Sequence, residues 1–526
     1  MKRLILGVVL LGLPAAVRAD VHPNGLCTEG MVLQQKAKTH IWGSADKGEK
    51  VTVTFRDKSE SAVADDKGHW SVSLDTGAAG GPFAMTLAGN NKIEYKNVLV
   101  GEVWICSGQS NMEATVSGPD LAVAKKMPHN ANLRTFNVGH ATPTSPITDV
   151  RGKWVEADPK TVAGFTSVGY FFGRDLQKAL GVPVGLIHTS WGGTRAEAWT
   201  RKEILDESPM YKKEHLNLQK AIEKYAKDLA DAKTKAAANP TAKPTKINNP
   251  VHANSPSVLY NGMIAPLLPY TIKGAIWYQG ESNAGQAYAY RTLFPMMIEN
   301  WRADWKLGDF PFYFVQLAPF TSVPKTPGES NWAELREAQS MTLKLKNTGI
   351  AVITDFGNEH NIHPLPKHAV GERLALDARA LTYGENIEYS GPVRKSVNFD
   401  GDKAIVTFDH VAGGLVAKKL VPTDIQETKD KDGKPTGSQA AWRVDPTAKN
   451  VDLTGFTVAG KDHVFHVAKA VIQGDAVVVS SKDVPEPVAV RYGWANHPLC
   501  GLYNRAGLPA SPFRTDDFRV STQPKQ

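Results

Sequence analysis

The sequence predicts an α/β protein: a mainly parallel sheet with helices on both faces, bracketed by two all-β regions. Three observations predict it. Between about residues 100 and 380, short apolar runs at 182–189, 272–278, 312–317 and 349–354 alternate with helix-like sequence, the mark of βαβ units. Before them, Val51, Val53 and Phe55 alternate with Thr52 and Thr54, and Trp70, Val72 and Leu74 alternate with Ser71 and Ser73. This period of two marks half-buried sandwich strands. After about residue 385 the all-β pattern resumes at 404–408, 476–480 and 488–492. A chain of 526 residues exceeds one core. The expected organisation is an N-terminal β region at 20–100, an α/β domain at 101–385 and a C-terminal β region at 386–526.

The first 19 residues are set apart. Lys2 and Arg3 precede an apolar segment, and Val17-Arg18-Ala19 offers small residues for cleavage before Asp20. This is a secretory signal peptide pattern, shorter than a membrane span, and it predicts a secreted or periplasmic protein. The alternative is an anchor left uncleaved. No later segment has the apolar length to cross a bilayer, so no integral span is expected.

Loss of Lys2, Arg3 and Arg18 takes the formal charge from +8 to +5. A Lys/Ala-rich insertion at about 205–250 accounts for much of the remaining excess, and no basic stripe interleaves with aromatics, so no nucleic-acid partner is expected. Within the insertion, Leu218, Ile222, Tyr225 and Leu229 form the stripe of an amphipathic helix over 211–238, followed by Pro240, Pro244 and Pro250. Glu214, Glu223, Asp228 and Asp231 interrupt its basic face. It reads as a solvated helix packing one stripe on the α/β domain rather than a membrane arm. Cys27, Cys106 and Cys500 allow at most one disulfide and have no metal-ligand spacing.

Chemistry concentrates at four strand ends. The run 98–105 ends in Cys106-Ser-Gly-Gln-Ser-Asn-Met-Glu113, which presents Ser110 on a turn where a strand meets a helix. A hydroxyl there is exposed, and the helix amino terminus can stabilise a developing negative charge. The second loop, Trp191-Gly-Gly-Thr-Arg195, brings paired glycines whose N–H groups can donate to an oxyanion. The third, Gln279-Gly-Glu-Ser-Asn283, brings an asparagine amide as a further donor. The fourth carries Asp355, Glu359, His360 and His363 ahead of Pro364, and histidine is the natural general base for a serine. Each loop alone reads as an ordinary turn. Together they supply nucleophile, donors and base at the carboxyl ends of one sheet, where such sheets bind ligands.

These motifs resemble the SGNH (GDSL-like) hydrolases and, within them, the sialate O-acetylesterase family of carbohydrate esterases. Residues 31–35 with Trp42-Gly43, and the blocks 259–263, 370–374, 501–504 and 507–514, extend the resemblance over nearly the whole chain. It implies an SGNH-type α/β/α domain, with Ser110 as nucleophile and His363 as base. The oxyanion hole would comprise the Ser110 and Gly192 or Gly193 N–H groups and the Asn283 side chain, with no metal or cofactor. The implied substrate is an O-acetylated carbohydrate: 9-O-acetylated sialic acid, or alternatively acetylated xyloglucan or xylan. Arg195 could grip a sialate carboxylate or pair with Glu197. Trp191 suits a sugar, and Gln109, Gln279, Glu281 and His360 are expected to contact substrate. The family pattern breaks at the acid, because Asn361 and His360 stand where an aspartate is usual. Asp355 or Glu359 replaces it, or a neutral acceptor does. A non-catalytic sugar-binding protein would not need Ser110, Asn283 and His363 together.

Overall fold

A computed structural model describes residues 20–239, 246–429 and 435–525. The expected signal segment and the linker residues Pro240 and Pro244 lie outside the described residues. The centre is a seven-stranded path built from β1 (Lys92–Gly108), β2 (Asn130–Asn137), β3 (Trp154–Ala157), β4 (Val184–Ser190), β5 (Gly274–Tyr278), β6 (Phe312–Val315) and β7 (Thr348–Ala351), in the order β3-β2-β4-β1-β5-β6-β7. All neighbours are parallel except the edge pair β2–β3.

Strand alternation sorts the sheet's side chains into two cores. Trp104, Cys106, Ile276, Tyr278, Tyr313 and Val315 face one way, against helices α2 (Ser167–Leu180) and α6 (His368–Asp377). Val103, Ile105, Ala275, Trp277, Phe312 and Phe314 face the other, against α4 (Ala287–Trp305) and α5 (Asn331–Met341). Burial on both faces explains why these strands read as continuous apolar runs. Helix α2 starts at Thr166, whose hydroxyl accepts the Gly169 N–H, and stops at Gly181 with φ +66°.

The composition change near Gly101 falls inside β1. The first part of this strand pairs antiparallel with Gly80–Ala88 and parallel with Val32–Gln34. Its last eleven residues are all buried within the central sheet. The N-terminal strands share one continuous core with the central sheet, Val53 and Trp70 lying in the same cluster as Trp277.

The C-terminal region has its own core beneath two four-stranded antiparallel sheets. A hairpin of Leu420–Lys429 and Pro435–Val444 reaches from it to the loop after β7. The insertion forms α3 (Pro209–Ala238), anchored by buried Tyr211 and His215. The stripe of Leu218, Ile222, Tyr225 and Leu229 is half-buried. All three cysteines are free and buried, and burial pushes the Cys27 and Cys500 thiols up to about 12. Among the described residues, no helix is long and apolar enough to cross a membrane.

Buried Asp120 fixes the start of α6. Its Oδ2 accepts the N–H groups of Lys367 at 2.9 Å and His368 at 3.2 Å and the Ser167 hydroxyl at 3.3 Å, while Oδ1 meets His368 Nδ1 at 2.7 Å. Burial works against the Asp120 charge, but these bonds prevail and hold its pKa below the ordinary value. The bond to Asp120 raises His368 in turn. Asp120→Ala should cost about 3 kcal/mol by urea unfolding, since it strands several buried donors. The part carried by charged His368 is complete below its unfolded pKa and fades as pH rises through its higher folded value.

Candidate active site

Ser110 leaves the end of β1 at the first residue of the one-turn helix α1 (Ser110–Glu113). Its N–H is therefore among those without an intrahelical acceptor. Gly108 makes the turn possible: φ is +136°, and a Cβ would lie 2.2 Å from the Tyr278 carbonyl oxygen. Ser110 Oγ lies 2.8 Å from His363 Nε2, 253 residues later in the chain. The hydroxyl donates to Nε2 when the ring carries its proton on Nδ1, which is the arrangement for proton abstraction.

Neither expected acid meets that ring. Asp355 is held by a bidentate pair with Arg373, at 2.8 and 2.6 Å. The Glu359 carboxylate accepts the N–H groups of Val323 at 3.0 Å and Ala440 at 2.8 Å, bracing the loop against the C-terminal hairpin. Asn361 Oδ1 accepts the backbone N–H of His363 at 2.9 Å, an Asx turn that spends it on the main chain. Among the described residues no group is hydrogen-bonded to His363 Nδ1.

A buried polar cluster beneath Ser110 joins three loops instead. Asn111 Nδ2 donates to Glu281 Oε1 at 2.6 Å and to the Ile362 carbonyl at 3.2 Å, while Lys367 Nζ donates to Asn111 Oδ1. Burial pushes Lys367 down to about 7 and Glu281 up. Desolvation first, and then the Lys367 charge, hold His363 below the ordinary histidine value.

The expected oxyanion donors divide. Gly192 lies against Ser110, since a Cβ there would sit 3.3 Å from Ser110 Cβ. Its N–H donates to Glu113 Oε2 at 2.7 Å. Gly193 has φ +71° and open space around it. The Asn283 amide is engaged within the protein. Its Nδ2 donates to Glu197 at 2.9 Å, and its Oδ1 accepts from the Ala196 N–H and Gln279 Nε2, so this 2 % exposed amide clamps two loops together.

Several expected substrate contacts are likewise internal. Gln279 is fully buried, accepting from the Tyr290 hydroxyl and donating to the Thr194 carbonyl. Buried Gln109 Oε1 faces the N–H groups of Gly280 and Ser282. Glu281 has its carboxylate in the buried cluster. Arg195 pairs with Glu197 and donates to Gln286 at 2.5 Å. Half-buried His360 donates its backbone N–H to Asn358. Trp191 is half-buried against the core and stacked flat on His140 at 3.9 Å. Sequence reasoning passed over Glu113 and Asn111, although both lie in the motif around Ser110. It also missed His140 and Lys367, whose roles depend on contacts across loops. A cavity of about 920 Å³ between the N-terminal strands and residues 260–269 is lined by neither Ser110 nor His363.

The profile of the carbohydrate esterases described as sialic acid-specific acetylesterases matches residues 100–235 and 244–378, more than half the chain. The chain belongs to this family. Ser110, Gly192, Asn283 and His363 all fall inside the match. Over the family's wider span, the chain is 32 % identical to the rat sialate O-acetylesterase, with 92 % of each chain aligned. It is 31 % identical to the human one, over 74 % of this chain and 76 % of that one. The crystal structure of a carbohydrate acetylesterase from Xanthomonas citri superposes with a TM-score of 0.76 at 36 % identity, covering 95 % of this chain and 100 % of the other.

The electrostatics give a pH prediction for this family member. A histidine base must be neutral, so the acid limb of kcat/KM should lie below pH 6.5, the ordinary histidine value. Lys367 carries its proton over that range. Lys367→Met should therefore move the acid limb to higher pH, as read from a pH–rate profile.

Proposed function

We propose that this carbohydrate esterase hydrolyses O-acetyl groups on sugars through an acetyl-Ser110 intermediate, within an SGNH-type α/β/α domain. The 2.8 Å contact between Ser110 and His363 at the carboxyl edge of the sheet carries the reading. Ser110 Oγ attacks the acetyl carbonyl as His363 Nε2 takes its proton. Collapse of the tetrahedral intermediate breaks the bond to the sugar oxygen, which receives that proton. Water then repeats the sequence in reverse, releasing acetate. The Ser110 N–H and the Gly192–Gly193 turn are the oxyanion donors on this reading. With Asp355 and Glu359 bound elsewhere, Ser110 and His363 work as a dyad. The neutral imidazole is favoured by desolvation and by Lys367 rather than oriented by a carboxylate.

The substrate suggested by the resemblance is 9-O-acetylated sialic acid, and the names of the human and rat relatives carry sialate. One observation favours a neutral acetylated hemicellulose instead: Arg195, the cation suited to a sialate carboxylate, is already held by Glu197 and Gln286. The charged and apolar pattern of residues 1–19 supports action outside the cytoplasm.

Acetate release from 9-O-acetyl sialic acid, acetyl-xyloglucan and acetyl-xylan tests these readings together. Release should fall at least about 10³-fold in Ser110→Ala and in His363→Ala. Full activity in Ser110→Ala, or a preference for long acyl chains, would refute the assignment. Asp355→Asn should lower stability by breaking the Arg373 pair while leaving the acid limb of the pH profile in place. A shift in that limb would restore Asp355 as the acid.

A further inference from the structure

Glu113 stands where the mechanism needs an empty place. Its Oε2 accepts the Gly192 N–H at 2.7 Å, and this peptide lies against Ser110. Its Oε1 lies 3.0 Å from Nε2 of His140, a ring that stacks on Trp191 at 3.9 Å with 8° between the planes. The Glu113 side chain is about one-third exposed, at 34 %, and that of His140 is 41 % exposed, so this end of the site opens to solvent. The carboxylate thus holds the N–H that an ester oxygen would use, beside a stacked pair of exposed His140 and half-buried Trp191.

We propose that Glu113 is a specificity-determining residue that couples the Gly192 donor to the presence of a sugar hydroxyl. An ester carbonyl is neutral and competes poorly with a carboxylate for an N–H, because charge-assisted hydrogen bonds are the stronger. A substrate bearing a hydroxyl beside its acetyl group offers Glu113 another donor. The hydroxyl donates to Oε2, the carboxylate gives up the peptide, and the Gly192 N–H turns to the ester oxygen as charge develops there. An ester without hydroxyls has no such exchange to offer and reacts against a blocked donor. His140 Nε2, hydrogen-bonded to the Ser190 carbonyl at 3.1 Å, stands 3.0 Å from the other carboxylate oxygen and borders the side chain at the mouth. The inference rests on the sugar-ester reading above.

The test is a ratio: kcat/KM for a mono-O-acetylated methyl glycoside divided by kcat/KM for 4-nitrophenyl acetate, which has no hydroxyl. Both are measured on one preparation, so the fraction of folded enzyme cancels. In Glu113→Gln and Glu113→Ala the ratio should fall about tenfold, since a charged hydrogen bond to the sugar is lost while the aryl ester gains a freer donor. A fall smaller than threefold in both variants overturns the proposal. It would mean that Glu113 only supports the glycine turn, because such a role scales both rates alike. Wild-type enzyme that cleaves the aryl acetate but no acetylated sugar refutes the sugar-ester reading itself, before any variant is made, and this proposal with it.

Discussion

The site depends on one strand that belongs to two sheets. Residues 92–108 enter as a partner of the N-terminal strands and leave at the centre of the parallel sheet, with the last eleven residues buried. Such a strand cannot slide, because a one-residue slip would exchange the residues facing the two cores. Trp104 and Cys106 would trade places with Val103 and Ile105. Gly108 then fixes where the strand ends, pressed against the Tyr278 carbonyl on the neighbouring strand. The position of Ser110 follows from packing far larger than the site itself.

Burying Lys367 and the Glu281 carboxylate beneath Ser110 is costly unless their polar atoms are satisfied. Asn111 meets most of that need, and its short side chain binds the turn after β5 and the loop after β7 to the turn after β1. His363 is consequently positioned through its backbone. The carbonyl of Ile362 and the N–H of His363 are both held, while the ring meets Ser110.

The sequence made the strand ends legible because buried parallel strands leave apolar runs that stop at glycine-rich turns. Ser110 and the loop of His363 were readable for the same reason, and the family resemblance singled out His363 from His360 on that loop. The partners of Asp355, Glu359 and Asn283 were not readable. A carboxylate two turns from a histidine in sequence can face Arg373 or the hairpin amide of Ala440, and nothing local distinguishes these outcomes. Arg195 shows the converse, since its pairing with nearby Glu197 was open to a reading from spacing. The shared strand was obscured because composition follows burial. One half of it alternates and the other does not.

The brace on the histidine loop has a consequence for how the enzyme comes into being. Gly357, Asn358 and Glu359 are bonded to Ala440, Ala441 and Trp442, residues of the returning arm of the C-terminal hairpin. Ser110 is encoded in the first quarter of the chain, whereas this support for the loop of His363 arrives only after four-fifths of it has been synthesised. A nascent or truncated polypeptide ending before residue 435 would display the serine with the histidine loop unbraced. The loop that carries His363 thus takes part of its support from the last region of the chain to be synthesised.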